Sequence, residues 1–165
     1  MRSGPSLAKA AGSPSSCRSE FLWRRIVQRG ARILLVDDDA IFLTIHRVVL
    51  QSHGFEVKSA SSAQEGLTLA AEWKPDLIVM DVMMETETEG FHATYELRRN
   101  PELCHVPILM VTAINQQGYP TGFKPDPTWL PVDQLLDKPV EPERLVAEVN
   151  RLLAAKARPA QPRGQ

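Results

Sequence analysis

Hydrophobic and polar positions change period several times along the chain, and each change marks an element. Residues 32–36 (RILLV) form a short apolar run ending in acids, which reads as a buried strand. Within residues 40–52 (AIFLTIHRVVLQS), Ile41, Ile45, Val48 and Val49 recur at helical spacing, and Gly54 closes the pattern. Residues 56–60 read as a second strand, with Phe55 and Val57 among the apolar positions nearby. Ser62 and Glu65 have the spacing of a capping box for a helix that reaches Trp73 and is stopped by Pro75. Residues 77–80 (LIVM) are uninterrupted, as expected of a strand covered on both faces. Residues 90–100 then read as a helix ended by Pro101, 107–111 (PILMV) as a fourth strand, and 134–137 as a fifth. The last helix spans 143–155, with Leu145, Val149, Leu152 and Leu153 on one face.

Strands alternating with helices imply right-handed crossovers and an α/β fold, a doubly wound, five-stranded parallel sheet. The stretch between the fourth and fifth strands breaks the alternation. Pro120, Pro125, Pro127 and Pro131 crowd residues 113–133, so the helix due there, the fourth, is short or missing. Residues 1–20 are rich in Ser, Ala, Gly and Pro and read as unstructured. Residues 21–29 (FLWRRIVQR) have the composition of a short basic amphipathic helix, or of a segment that packs on the domain.

Composition narrows the function. No apolar run approaches the roughly 18–20 residues of a membrane-spanning helix, so no membrane insertion is expected. The two cysteines and four histidines show no metal-ligand spacing, and the thiols suit a reducing, cytoplasmic setting. Seven Lys and Arg stand against Glu20 alone in residues 1–32, whereas residues 33–153 carry a net charge of −10. An acidic body disfavours direct DNA binding. It suits a site that gathers carboxylates around a cation.

Four strands end in chemistry. Asp37, Asp38 and Asp39 follow the first, Asp81 the third, Thr112 the fourth and Lys138 the fifth. Ligands of open parallel sheets bind at the carboxyl ends of strands, so these groups converge on one crevice. Two like charges about 4 Å apart at an effective dielectric near 20 repel by roughly 4 kcal/mol. Ionised carboxylates gathered there need a proton or a cation, and an oxygen-only set suits Mg²⁺ with retained waters. Asp39 is also placed to cap the helix beginning at Ala40. A carboxylate such as Asp81 beside that cation can attack an electrophilic phosphorus. Lys138 and the Thr112 hydroxyl are then placed to receive two of the phosphoryl oxygens.

The stretches ILLVDDD (33–39), LIVMDVMM (77–84), ILMVTA (108–113) and LLDKPV (135–140) resemble the receiver domain of two-component response regulators. The resemblance implies a flavodoxin-like receiver fold over residues 31–155, between a basic extension (1–30) and a tail (156–165). It implies Mg²⁺ held by Asp37, Asp38, Asp81 and the backbone carbonyl of Met83. Asp81 is then the phosphoacceptor, Thr112 the switch hydroxyl, Lys138 the phosphate partner, and the Lys138–Pro139 peptide is cis. It also implies a sensor histidine kinase or phosphotransfer protein as donor, output through an unidentified protein target, and a signalling phosphoacceptor rather than an enzyme. With ten residues after Ala155, the chain reads as a stand-alone receiver.

Four positions depart from the family pattern. Glu85 stands where a proline is usual, Gly90 lies one residue further from Asp81, Leu135 replaces an aromatic, and the 113–133 loop is long. Other chemistries fit less well. A haloacid-dehalogenase phosphatase needs an acid two residues after Asp81, where Met83 stands. A flavin phosphate would meet three repelling carboxylates.

Overall fold

The computed structural model describes residues 30–84, 89–113, 124–128 and 130–157. Five strands pair in parallel, β1 (Arg32–Val36), β2 (Glu56–Ala60), β3 (Leu77–Met80), β4 (Ile108–Thr112) and β5 (Gln134–Asp137), in the order β2-β1-β3-β4-β5. Four helices connect or follow them: α1 (Ala40–Ser52), α2 (Ala63–Trp73), α3 (Glu89–Arg99) and α4 (Pro142–Ala157). The doubly wound parallel sheet expected from the alternation is therefore present. Strand order reverses at β1 and β3, so the loops after these two strands diverge and leave a crevice between them.

Strand periodicity splits the core in two. Ile33, Leu35, Val79, Leu109 and Val111 face α1 and α4 and meet Phe42, Leu50, Leu145, Val149 and Leu153. Their neighbours Leu34, Val36, Ile78, Met80, Ile108 and Met110 face α2 and α3. Each fully buried side chain of this size contributes about 1.5–3 kcal/mol relative to exposure.

The residues whose spacing marks α1 as a helix are not the ones it buries. Phe42, His46 and Leu50 are its buried residues. Ile41, Ile45 and Val48 are 70%, 46% and 57% exposed, which leaves an apolar strip on the outer side. His46 is buried with its ring nitrogens 2.8 Å from the Phe42 carbonyl and 3.3 Å from the Val140 carbonyl. Half of the expected α2 capping box forms, Ser62 Oγ accepting from Glu65 N; the Glu65 carboxylate reaches one residue further back and accepts from the N–H and hydroxyl of Ser61.

No helix lies between β4 and β5 among the described residues; 114–123 and Trp129 are outside them. Asp126 and Leu130 exchange both backbone hydrogen bonds, and Leu130 and Val132 are buried over the α2/α3 face of the sheet. Arg98 at the end of α3 pins this segment. It donates to the carbonyls of Pro131, Cys104 and Val106 and to the Asp133 carboxylate. The same Asp133 oxygen accepts from Ile108 N, so the clamp reaches the first residue of β4.

Candidate functional site

Backbone pairing brings the strand-end residues together before any side chain is considered. Asp37 N donates to Ala60 O, Asp81 N to Val36 O, and Lys138 N to Thr112 O at 2.9 Å. These bonds extend the sheet ladder by one residue at the end where the loops leave. The polar groups of four successive strand ends therefore stand side by side.

Asp37, Asp38 and Asp81 each offer a carboxylate oxygen, and the three oxygens lie within 4.8 Å of one another. Asp37 and Asp81 are buried, at 1% and 4% exposure, whereas Asp38 is exposed. The Lys138 ammonium bridges the buried pair, 2.6 Å from Asp37 Oδ2 and 3.0 Å from Asp81 Oδ2. It also lies 4.6 Å from the centroid of the Phe42 ring, whose negative face favours a cation. The Phe42 ring stacks in turn on His46, with centroids 3.9 Å apart.

The remaining carboxylate oxygens are held by backbone donors. Asp39 N donates to Asp37 Oδ1 at 2.8 Å and Met83 N to Asp81 Oδ1 at 2.9 Å. Asp39 itself caps α1, accepting from the N–H groups of Ile41 and Phe42. Of the acidic run, Asp39 thus belongs to the helix and Asp37 and Asp38 to the crevice.

The electrostatics follow from this packing. Burial pushes the Asp37 carboxyl above its ordinary range, opposed by the hydrogen bonds from Lys138 and from the Asp39 N–H. Burial also raises Asp81, opposed by the Met83 N–H and Lys138, with the Asp38 charge adding to the rise. Burial alone would lower Lys138, but its hydrogen bonds to Asp37 and Asp81 outweigh that, and its ammonium is held above its usual range. One ammonium against three acids leaves an excess of negative charge in the crevice. All-oxygen donors with this excess fit a hard divalent cation such as Mg²⁺.

Thr112 ends β4 fully buried, and Lys138–Pro139 is cis, as the resemblance implied. Met83 lies two residues beyond Asp81 and is half-buried. Leu135 is also half-buried, packed against the α2/α3 core.

Two features of the site were not read from the sequence. Phe42 was one apolar residue among several in α1; nothing in its spacing marked it as the seat of Lys138. In the sequence Gly90 stands out only by its distance from Asp81. A Cβ there would stand 2.4 Å from the Asp81 carbonyl oxygen and 2.5 Å from Val82 Cα. The first turn of α3 therefore rests directly on the Asp81–Val82 peptide, an approach only glycine permits. A lone glycine at a helix start was the available signal.

Comparison with known proteins agrees with this geometry. The family model "Response regulator receiver domain" matches residues 33–150. PilH of Pseudomonas aeruginosa is 33% identical over 127 residues, covering 75% of this chain and 98% of PilH. The DNA-binding dual master transcriptional regulator RpaA of Synechocystis is also 33% identical over 127 residues, covering 74% of this chain. The match spans about half of RpaA, 48% of its length. A solved structure of a response regulator from Chloroflexus aurantiacus superposes with a TM-score of 0.65 at 32% identity, covering 76% of this chain and 99% of that one. Sequence match, sheet order and the strand-end acids all agree, and the chain belongs to the response regulator receiver domain family.

Proposed function

We propose that this chain accepts a phosphoryl group on Asp81 in a Mg²⁺-dependent step of two-component or phosphorelay signalling. The observation that carries the reading is the joint approach of Asp37, Asp38 and Asp81 with Lys138 bridging the buried pair. The ionised Asp81 carboxylate attacks phosphorus, and the bond from phosphorus to the donor's imidazole nitrogen breaks. Asp37, Asp38, Asp81 and the Met83 carbonyl are the proposed ligands of Mg²⁺, which supplies charge neutralisation for the incoming phosphoryl oxygens. Lys138 exchanges a carboxylate partner for a phosphoryl oxygen, and Thr112 offers its hydroxyl to another.

The donor is a sensor histidine kinase or phosphotransfer protein, and the output is a change in protein binding. No helix among the described residues is long and apolar enough to cross a membrane, and the pathway proposed is cytoplasmic. The domain is read as 31–155, flanked by the basic extension 1–30 and the tail 156–165. In this reading it is a signalling phosphoacceptor rather than a turnover enzyme.

Incubation with acetyl phosphate and Mg²⁺, followed by intact mass measurement, tests the proposal. Wild type gains one phosphate and Asp81→Asn gains none, because an amide is not a competent nucleophile. Asp38→Ala slows labelling and weakens Mg²⁺ binding. Undiminished labelling of Asp81→Asn moves the acceptor elsewhere and overturns the assignment.

A further inference from the structure

Three residues spaced by four, Phe42, His46 and Leu50, make the buried face of α1. Leu50 is aliphatic, and the Phe42 ring faces the Lys138 ammonium; His46 is the polar member, 4% exposed. A leucine fills such a position with no polar atom to desolvate. A buried ring nitrogen costs free energy unless it is hydrogen-bonded, so core filling alone does not favour histidine here.

The His46 ring touches the seat of Lys138 at two points. It lies against the Phe42 ring, with centroids 3.9 Å apart and planes tilted by 30°. Its Nδ1 is 2.8 Å from the Phe42 carbonyl, one helical turn back, and its Nε2 is 3.3 Å from the Val140 carbonyl. Both oxygens can only accept, so the ring meets them as a donor. One N–H serves one carbonyl, and a ring carrying two protons serves both. Val140 follows Lys138 by two residues, and the Lys138 ammonium lies 4.6 Å from the Phe42 centroid. One side chain thus links the aromatic wall of the seat, which belongs to α1, to the backbone that leads from Lys138 toward α4.

A lysine at this place needs a wall. Its four-carbon stem is flexible, and holding the ammonium in one position costs rotamer entropy. Asp37 and Asp81 hold the ammonium by charge, at 2.6 and 3.0 Å. A phosphoryl group arriving on Asp81 changes that pairing. The Phe42 ring attracts a cation without a net charge of its own and offers no carboxylate to compete with a phosphoryl oxygen. It is the constant part of the seat, and its orientation rests on the ring stacked against it.

We infer that His46 is a positioning residue for Lys138: stacked on Phe42 and reaching the Val140 carbonyl, it fixes the ring against which the ammonium lies. The effect on phosphoryl transfer rests on the phosphoacceptor reading above; the hold on Lys138 does not.

The full-length protein supplies the test, with His46→Leu and His46→Gln as opposed variants. Leu fills the space but removes the N–H and the flat face. Gln keeps a planar group with an N–H donor on a stem of similar reach. In metal-free buffer the ε-methylene resonances of Lys138, assigned by their loss in Lys138→Arg, are expected upfield of an exposed lysine because of the Phe42 ring. His46→Leu should return them toward the exposed value, and His46→Gln should keep them near wild type. A residue that merely fills the core gives the reverse order, with Leu tolerated and Gln not. That order, or unmoved Lys138 resonances in His46→Leu, overturns the inference. Should His46→Leu not fold, His46→Met makes the same comparison with a more adaptable apolar stem. Acetyl phosphate labelling should slow about 3–10-fold in His46→Leu, and the same substitution should change the rate less than about twofold once Lys138→Ala is present. Equal slowing in both backgrounds places the effect in the fold rather than in Lys138 and also overturns the inference. Absence of labelling in every form, with the Lys138 resonances still answering to His46, removes the phosphoacceptor reading and leaves the positioning role standing.

Discussion

The two faces of the sheet are closed by different means. On one face α1 and α4 lay long apolar stripes against Ile33, Leu35, Val79, Leu109 and Val111. On the other, α2 and α3 contribute mainly small residues near the sheet, among them Ala63, Ala70 and Ala93, and the non-helical 130–132 segment adds Leu130 and Val132. A helix satisfies its own backbone before it packs, so an amphipathic stripe is enough to make it a cover. A segment without that internal ladder needs donors from elsewhere. Here Arg98 supplies them at the Pro131 carbonyl and the Asp133 carboxylate, and ties the segment to the Cys104 and Val106 carbonyls of the loop before β4.

That contrast can be broken or sharpened by experiment. Leu145→Ala on the helical face is expected to cost about 3–4 kcal/mol, because rigid neighbours leave a cavity. Leu130→Ala should cost nearer 2 kcal/mol, since a short segment can settle into the space. Both side chains are fully buried, so urea midpoints compare them directly. Equal losses would mean that the segment is as rigid as a helix.

Arg98→Met keeps the aliphatic stem and removes the donors, leaving partly buried acceptors unmatched. A loss of about 2 kcal/mol is expected. Amide exchange should quicken at Leu130 and Val132 and stay unchanged in α4. Uniform quickening throughout the domain would show that Arg98 is no local clamp.

Gly90→Ala should cost about 1–3 kcal/mol, because the new methyl meets backbone and not a flexible side chain. Acetyl phosphate labelling of Asp81 should slow as well. Wild-type stability and labelling in this variant would remove the contact from the account.

The smallest effect has the opposite sign. The net rise of the Asp81 carboxyl means that its ionised form is disfavoured by folding. In metal-free buffer Asp81→Asn should therefore stabilise the protein at pH 7, by about 1 kcal/mol. Between the ordinary carboxylate value of 3.8 and the raised native value, the folded state holds more protons than the unfolded state. Wild-type stability grows through that window as the pH falls, and the advantage of the Asn variant shrinks to nothing below it. An advantage that widens on acidification would reverse the assigned sign.

The sheet was legible because its signals are local. Continuous apolar runs ended in acids, a threonine and a lysine, and observed strand and helix limits fall within two residues of those expected. Pro142 opens α4 one residue before the expected start, a position where its missing N–H costs nothing. The facing of α1 was not legible. Six large aliphatic residues and Phe42 surround that helix, and a histidine sits on the buried side. Its packing against β1, β2 and α4, and not its own spacing, decides which stripe turns inward. Arg98 was equally silent, since its partners are chiefly carbonyl oxygens, and every residue has one. At the site, residue types and strand ends were readable, but the Lys138–Phe42 and Gly90–Asp81 contacts cross between elements and leave no periodic trace.

The seat of Gly90 on the Asp81 carbonyl has a consequence for how chains of this kind should be aligned. Gly90 lies one residue further along the chain from Asp81 than the family pattern has it, and the contact forms all the same. The point of contact is fixed by the thickness of two backbones. Counting positions along the chain from Asp81 therefore gives an unreliable ruler, whereas the touching pair is a landmark that survives insertion. The Gly90 contact therefore marks where α3 begins relative to the acid more surely than a count of positions does.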